Sequence, residues 1–504
     1  MKRIFVLLLC ALLLAGCGGK TGESDAAANT TNTVSSTAGA GDGDGAGEGE
    51  TETETEDPEA ALFQITKEEN GGKTFTILTS DQCNYEFLAD ELTGELLNDA
   101  VYNRNLAVEE LLDVKFDVVS KPGAYDGGDR EKFWELVKAS VLANEGTYDI
   151  VCAMISCMQM YATPEYYLDI NTLSDVNLNN PWWITEMQND LNIQGKLINV
   201  IGDMNISMYK RFAVSYANLD LLASGTGLDS AALYQMVRDG DWTFDALFSL
   251  ANQFATDVNG DGKIDPVVDT VGLTITNVPF WTVQASFDLP MIALDGDGVP
   301  YVVGLTDRAA YAADKLASAI AANPSAAINT ESYDPDKQTA SFAEGRSAFL
   351  LSHLDRTDML REMEDDFAIL PFPKLDDEQA NYRTLIATST QMTYVPITTN
   401  DPALTGKVLE SLAYYGHKLV VPAYYDTALK ERYSRDPETS VMLELIREHA
   451  VLPFEYAYST ALEWPHTILA NAILTNKAGS LASDVASKTK AWNNRIEKLM
   501  KVYN

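Results

Sequence analysis

Hydrophobic positions along this chain switch repeatedly between a period of two and a period near that of a helix. Lys73–Thr79 (KTFTILT) alternates apolar and polar residues, which predicts a strand. From Ala100 to Leu112 the apolar residues Val101, Leu106, Val108, Leu111 and Leu112 fall at helical spacing. Val114–Val119 reads as a second strand, Phe133–Leu142 as a second helix and Tyr148–Met154 as a third strand. That βαβαβ order predicts an open α/β sheet with helices on its faces. Leu197–Val200 and Phe212–Tyr216 are further expected strands, leading out of this lobe into another. Trp242–Asp245 opens a helix running through Phe254, with Thr243 or Asp245 as its cap.

The pattern is densest between Ser341 and Lys374. Gly345 breaks a helix end, and Ser347–Leu351 is an apolar run too short for another helix. A polar helix is expected next, then an apolar strand at Phe367–Leu370 stopped by Pro371 and Pro373. Ser352, His353 and Arg356 follow the first of these strands, where open α/β sheets bind ligands. From about residue 66 the body is roughly 440 residues long, too many for one simple core, so two lobes are expected.

The beginning of the chain is different. Lys2 and Arg3 precede an apolar run from Ile4 to Leu14, followed by Ala15-Gly16-Cys17. A basic start, a short apolar core and small residues before a cleavage point describe a secretory signal, too short to span a bilayer. The closing residues resemble the lipobox of bacterial lipoproteins, in which the signal (here 1–16) is removed and the cysteine, here Cys17, carries the lipid. An ordinary signal peptide with a chance cysteine is the alternative. The rest of 17–65 is mostly Gly, Ala, Ser, Thr, Asp and Glu, too poor in apolar surface to offset chain entropy, and reads as a disordered acidic tether.

Charge narrows the ligand. Lys and Arg number 36 against 74 Asp and Glu, a net charge of −38. A field of that sign repels nucleic acid and anionic lipid, and it favours a neutral ligand over an anionic one. Solubility alone accounts for much of the acidity. Of five cysteines, Cys83, Cys152 and Cys157 would remain after processing, an odd number that gives no complete disulfide framework. Cys152 and Cys157 are close enough in sequence to pair, but buried thiols are the expected role.

Two patterns suggest binding. Asp257-Val-Asn-Gly-Asp-Gly-Lys-Ile-Asp265 matches the first nine positions of an EF-hand loop. Asp257, Asn259, Asp261, the Lys263 carbonyl, Asp265 and, one residue late, Asp269 would supply oxygens to one structural calcium ion. Val268 stands where a bidentate Glu is expected, and a solvated Asn-Gly-Asp-Gly turn is the alternative. Aromatics beside prolines are candidates for gripping a sugar, whose CH-rich faces match an aromatic ring. They are Trp182 and Trp183 after Pro181, with Asp203 nearby, then Trp281, and Tyr424 and Tyr425 after Pro422; Tyr166 and Tyr167 are further candidates. Each is equally explained by packing.

Catalytic signatures are missing. There is no Gly-x-Ser-x-Gly elbow and no His-Glu-x-x-His, and the four histidines stand far apart in sequence. Acid pairs abound, as in any chain this acidic. No cofactor beyond the calcium ion is expected.

Several stretches together resemble the extracellular solute-binding proteins of bacterial ABC importers, specifically the family 1-like, carbohydrate-associated lipoprotein branch common in clostridia-like bacteria. They are Gly94–Asn105, Pro181-Trp182-Trp183, Gly202-Asp203, Gly345–Phe349, Asp366–Lys374, Pro422–Tyr425 and Arg435-Asp436. The resemblance implies a two-lobed periplasmic-binding-protein-like α/β fold of type II, each lobe an open sheet flanked by helices, with the ligand cleft between them. It implies an N-terminal lobe from 66–205 plus 392–450 and a C-terminal lobe from 206–391 plus 451–504. The function implied is non-enzymatic: a monomer anchored by lipid on the outer face of a Gram-positive-type membrane captures a carbohydrate and delivers it to permease subunits, with no nucleic-acid partner. A peptide or other solute, a surface glycoside hydrolase, and an adhesin or sensor are the alternatives.

Overall fold

The computed structural model describes residues 59–275, 277–329, 335–425 and 438–503. The signal segment, Cys17 and the tether as far as residue 58 lie outside the described residues, as do Arg435 and Asp436.

Two sheets organise the body. The first has the order Gln391–Tyr394, Ile150–Met154, Lys73–Ser80, Val114–Lys121. Its last three strands are parallel, linked by the helices Leu96–Leu112 and Asp129–Ala143, so the βαβαβ reading holds. Gln391–Tyr394 joins this sheet antiparallel, from far along the chain. The Glu95 carboxylate caps the first helix by accepting from the amides of Leu97 and Asn98. Asp113, left-handed at φ 46°, ends it and turns the chain straight into Val114.

The second sheet has the order Phe367–Pro371, Ala213–Asn218, Ser347–His353, Thr270–Ile275, Ala255–Thr256, with Ala327–Asn329 also pairing to Thr270–Ile275. Every residue of Ala213–Asn218, Ser347–His353 and Phe367–Pro371 is buried, which is why these strands read as continuous apolar runs. The two strands expected to form one strand–helix–strand unit are not neighbours. Ala213–Asn218 lies between them, antiparallel to both, and the polar run after His353 forms only a single 3-10 turn at Leu354–Asp358. Thr243 caps the helix Phe244–Ala251, its hydroxyl accepting from the Ala246 amide.

Three expectations are corrected. Leu197–Val200 is no strand: the chain touches the first sheet at one residue, Val200, which exchanges both backbone bonds with Thr393. The helix Glu438–Glu448, expected with the first lobe, packs on Phe367–Pro371 of the second sheet. Order begins before residue 66: Glu59 bonds Lys418 and, at 3.1 Å, Nε2 of His417, and Phe63 stacks on Tyr414 at 4.1 Å.

Among the described residues three connecting segments lie side by side between the sheets, here called crossings. Phe212 bridges Ile386, the Ala387 amide donates to the Arg211 carbonyl, and Thr384–Leu385 pairs in parallel with Ala450–Val451. Buried Glu86 fastens two of the crossings, accepting from the Ser207 amide at 2.7 Å and from Nε2 of Gln391 at 2.6 Å. Burial pushes its carboxyl up to about 7.

Candidate ligand-binding cleft

Between the sheets lies a cavity of 520 Å³, within the range of about 300–1,000 Å³ usual for small-molecule sites. Strand ends build much of it. Met154 ends one strand of the first sheet, His353 ends one of the second, and Tyr125 and Asp126 lie in the loop after Val114–Lys121. Ala387, Thr388 and Ser389 come from the second crossing. Tyr456, Trp464, His466 and Thr467 come from the short helices after the third, and Trp281 from the connection beyond Thr270–Ile275.

The aromatic groups are arranged around His466. Its ring is 4.4 Å from that of Tyr456, 5.7 Å from Trp464 and 6.2 Å from Trp281. Trp464 meets Tyr125 edge-on at 5.9 Å, and the Arg130 guanidinium sits 4.8 Å over the Tyr125 ring. Trp464 is presented by an unusual turn, since Glu463 and Trp464 are both left-handed, at φ 62° and 58°. Such a turn persists only where its surroundings fix it. Here the Trp464 amide donates to the Ser459 carbonyl, and the Trp464 carbonyl accepts from Thr467.

The histidines of this pocket carry no charge. Burial pushes the imidazole of His466 down to about 3 and that of His353 down to about 4, so both are uncharged at neutral pH. Nδ1 of His466 has no hydrogen-bond partner among the described residues, although the side chain is only 2 % exposed. Among the described lining residues no Lys or Arg appears, and Asp126 is the one carboxylate.

Of the expected binding residues, Trp281 and His353 line this cavity. The others are occupied elsewhere. Trp182 and Trp183 are buried in the body's core, both indole nitrogens donating to Glu410 at 2.9 Å. Asp203 is fully buried, accepting from Tyr209, Arg447 and His417, and so ties a crossing segment to neighbouring helices. Tyr424 and Tyr425 pack on Tyr209. Ser352 is enclosed within the sheet, and Arg356 pairs with Asp336 at 2.6 Å. Tyr167 is buried, and Tyr166 meets Trp134 edge-on. Cys83, Cys152 and Cys157 are buried free thiols, so Cys152 and Cys157 are not paired.

The acidic loop closes on itself. Both oxygens of Asp257 accept from loop amides, including Gly260 and Gly262, while Asn259 and Asp261 accept from Asp261 and Lys263. Asp265 accepts from the Val267 amide, and Asp269 turns inward to accept from Val258 and Asp265. Among the described residues no group of three or more His, Cys, Asp or Glu is placed to hold a metal ion. The carboxylates expected as calcium ligands accept hydrogen bonds from the amides of the turn.

Tyr125, Asp126, Tyr456, Trp464 and His466 were not anticipated from the sequence. Gly127-Gly128 just after the first two marks an exposed loop beyond a strand, a usable signal. Trp464-Pro465 has the same proline-flanked aromatic pattern as Pro181-Trp182.

No family model matches the sequence, and no curated protein matches it. Solved structures do match. An ABC substrate-binding protein from Listeria monocytogenes, in complex with cycloalternan, is 12% identical, with a TM-score of 0.50 over 86% of this chain and 99% of that one. A cyclo/maltodextrin-binding protein complexed with maltotetraose is 14% identical, with a TM-score of 0.50 over 86% and 98%. An uncharacterised Listeria monocytogenes protein is 11% identical, with a TM-score of 0.53 over 83% and 99%. Together with the two sheets, this likeness shows the fold to be the two-lobed, type II periplasmic-binding-protein fold.

Proposed function

We propose that this chain is the binding component of an importer, capturing a neutral carbohydrate by closure of its two lobes. The observation that carries this reading is the cavity between the sheets, walled by Tyr125, Trp281, Tyr456 and Trp464 and bordered by neutral histidines. Flat rings take the CH faces of a sugar, while Asp126, Ser389 and Thr388 offer partners to its hydroxyls. Two of the structural matches are complexes with saccharides, cycloalternan and maltotetraose, which supports the same class of ligand here. Because the cavity is walled from both lobes, ligand favours the closed arrangement through contacts the open one lacks. Glycoside hydrolysis ordinarily needs a pair of carboxyl groups, and the described lining supplies Asp126 alone. The wider reading is that Cys17 carries a lipid, the tether holds the body off the outer membrane face, and a membrane permease receives the closed form.

A carbohydrate array followed by calorimetry on the full chain tests the proposal. Saturable binding of a neutral saccharide without cleavage is expected. Stabilisation by peptides alone, or hydrolysis of the bound glycan, would sink it.

A further inference from the structure

Beyond Trp464 a second cavity of 450 Å³ opens between the helices Ile468–Leu474 and Leu481–Met500. It is continuous with the cleft in its walls, since Trp464 and Thr467 line both. Asn471 joins them again: it lines the outer cavity, and its Oδ1 accepts from the indole of Trp281, which lines the inner one. On the outer wall Trp492 is 1 % exposed, and its indole N–H has no partner among the described residues. Buried indole donors usually find an acceptor, so this one is held ready for an oxygen that the described residues do not supply. The charged groups around the outer cavity balance: Glu463 and Asp484 against Lys477 and Lys488.

We infer that the two cavities are one site divided by the half-buried ring of Trp464, and that its ligand is a neutral oligosaccharide: one end lies in the cleft, and the chain continues past Trp464 so that an outer sugar oxygen accepts from the Trp492 indole. This rests on the carbohydrate reading above and narrows it. Each cavity alone takes a short piece of such a chain. The shared ring offers its faces to sugars on either side, and Ser487, Thr475 and Asn471 suit hydroxyl groups.

The test uses the full chain and neutral oligosaccharides of two to six units, in the linkage that an array screen returns. Two variants are compared with the unmodified chain by calorimetry. Trp492→Phe removes the indole donor, and Ser487→Trp fills the outer cavity from an exposed helix position that poses little threat to folding. Affinity is expected to rise with chain length beyond the disaccharide. Each variant should erase that rise, a loss of about three- to tenfold for the longer sugars, as for one hydrogen bond. Disaccharide affinity should stay within about twofold in both. Length-independent affinity, or equal losses for short and long sugars in Ser487→Trp, overturns the extended site while leaving the carbohydrate reading intact. An array that returns no sugar overturns both.

Discussion

Two aromatic clusters in this protein each enclose one buried titratable side chain, and they do opposite things with it. In the first, Trp182 and Trp183 surround Glu410, whose oxygens accept from both indoles, from Nδ2 of Asn180 at 2.6 Å and from the Asn177 amide at 3.1 Å. Nothing is left over, and the rings are buried. In the second, Trp281, Tyr456 and Trp464 surround His466, whose Nδ1 is unpartnered among the described residues, and the tryptophans are only half-buried. Buried polar groups that satisfy each other specify a fold. Unspent hydrogen-bonding capacity beside half-exposed rings is what a ligand can use. Satisfaction, more than the presence of tryptophan, separates architecture from binding surface here.

The sharpest way to break that contrast is Glu410→Ala. It strands two indole N–H groups and an amide in the core. Unsatisfied buried donors cost about 1–3 kcal/mol each and do not add fully, so a loss of about 3–5 kcal/mol of stability is expected in denaturant unfolding. Ligand affinity of the folded fraction should not change. A variant that keeps its stability would show that the first cluster is not the structural device proposed.

Trp464→Ala is the mirror experiment. Central aromatic contacts in binding sites typically contribute about 2–4 kcal/mol, so affinity should fall at least about 30-fold. Little stability should be lost, because the ring is half-buried and its removal opens no hole in the core, while the left-handed backbone carries the same Cβ before and after. A large drop in stability with unchanged affinity would reassign Trp464 to the first class.

The contrast also explains what was legible in the sequence. Strand and helix periods were readable because burial on both faces or one face leaves a local trace, as in Ser347–His353 and Leu96–Leu112. His353 was readable as lining a cavity because strand ends border the cleft in such sheets, and the same rule extended to Met154 and to the loop at Tyr125 would have found more of the lining. Trp182 and Trp464 are both proline-flanked and locally alike. What separates them is Glu410, more than two hundred residues from Trp182, and the left-handed turn at Glu463-Trp464. Partners that distant leave no local pattern. The acidic loop shows the same limit: its oxygens satisfy its own amides, a choice that residue types alone do not reveal.

Acid should probe the second cluster. His466 is pushed down to about 3 in the fold, below its ordinary value near 6.5. The unfolded chain therefore binds more protons between those values. The stability carried by the neutral ring is fully present above about pH 6.5 and is lost as pH falls toward 3. At pH 5 the loss attributable to this residue is about 2 kcal/mol. His466→Gln cannot take up the proton, so its melting temperature should fall less than that of the unmodified chain between pH 7 and 5. Parallel curves would mean that His466 is already partnered.

The finest discrimination comes from one substitution made in each cluster. Trp183→Phe removes a single donor from Glu410, and Oε2 keeps the Asn177 amide, so no oxygen is stranded. The cost should be about 1 kcal/mol, appearing only in stability. Trp281→Phe removes a 3.3 Å bond to Asn471 at the mouth of the cleft, where solvent can replace it. Its stability should hardly move, while its affinity should fall a few-fold as the ring loses its orientation. The same chemical change would then report on folding in one cluster and on ligand in the other. If both variants lose affinity, the clusters are coupled through the crossings that Glu86 and Asp203 fasten, and the separation drawn between them fails.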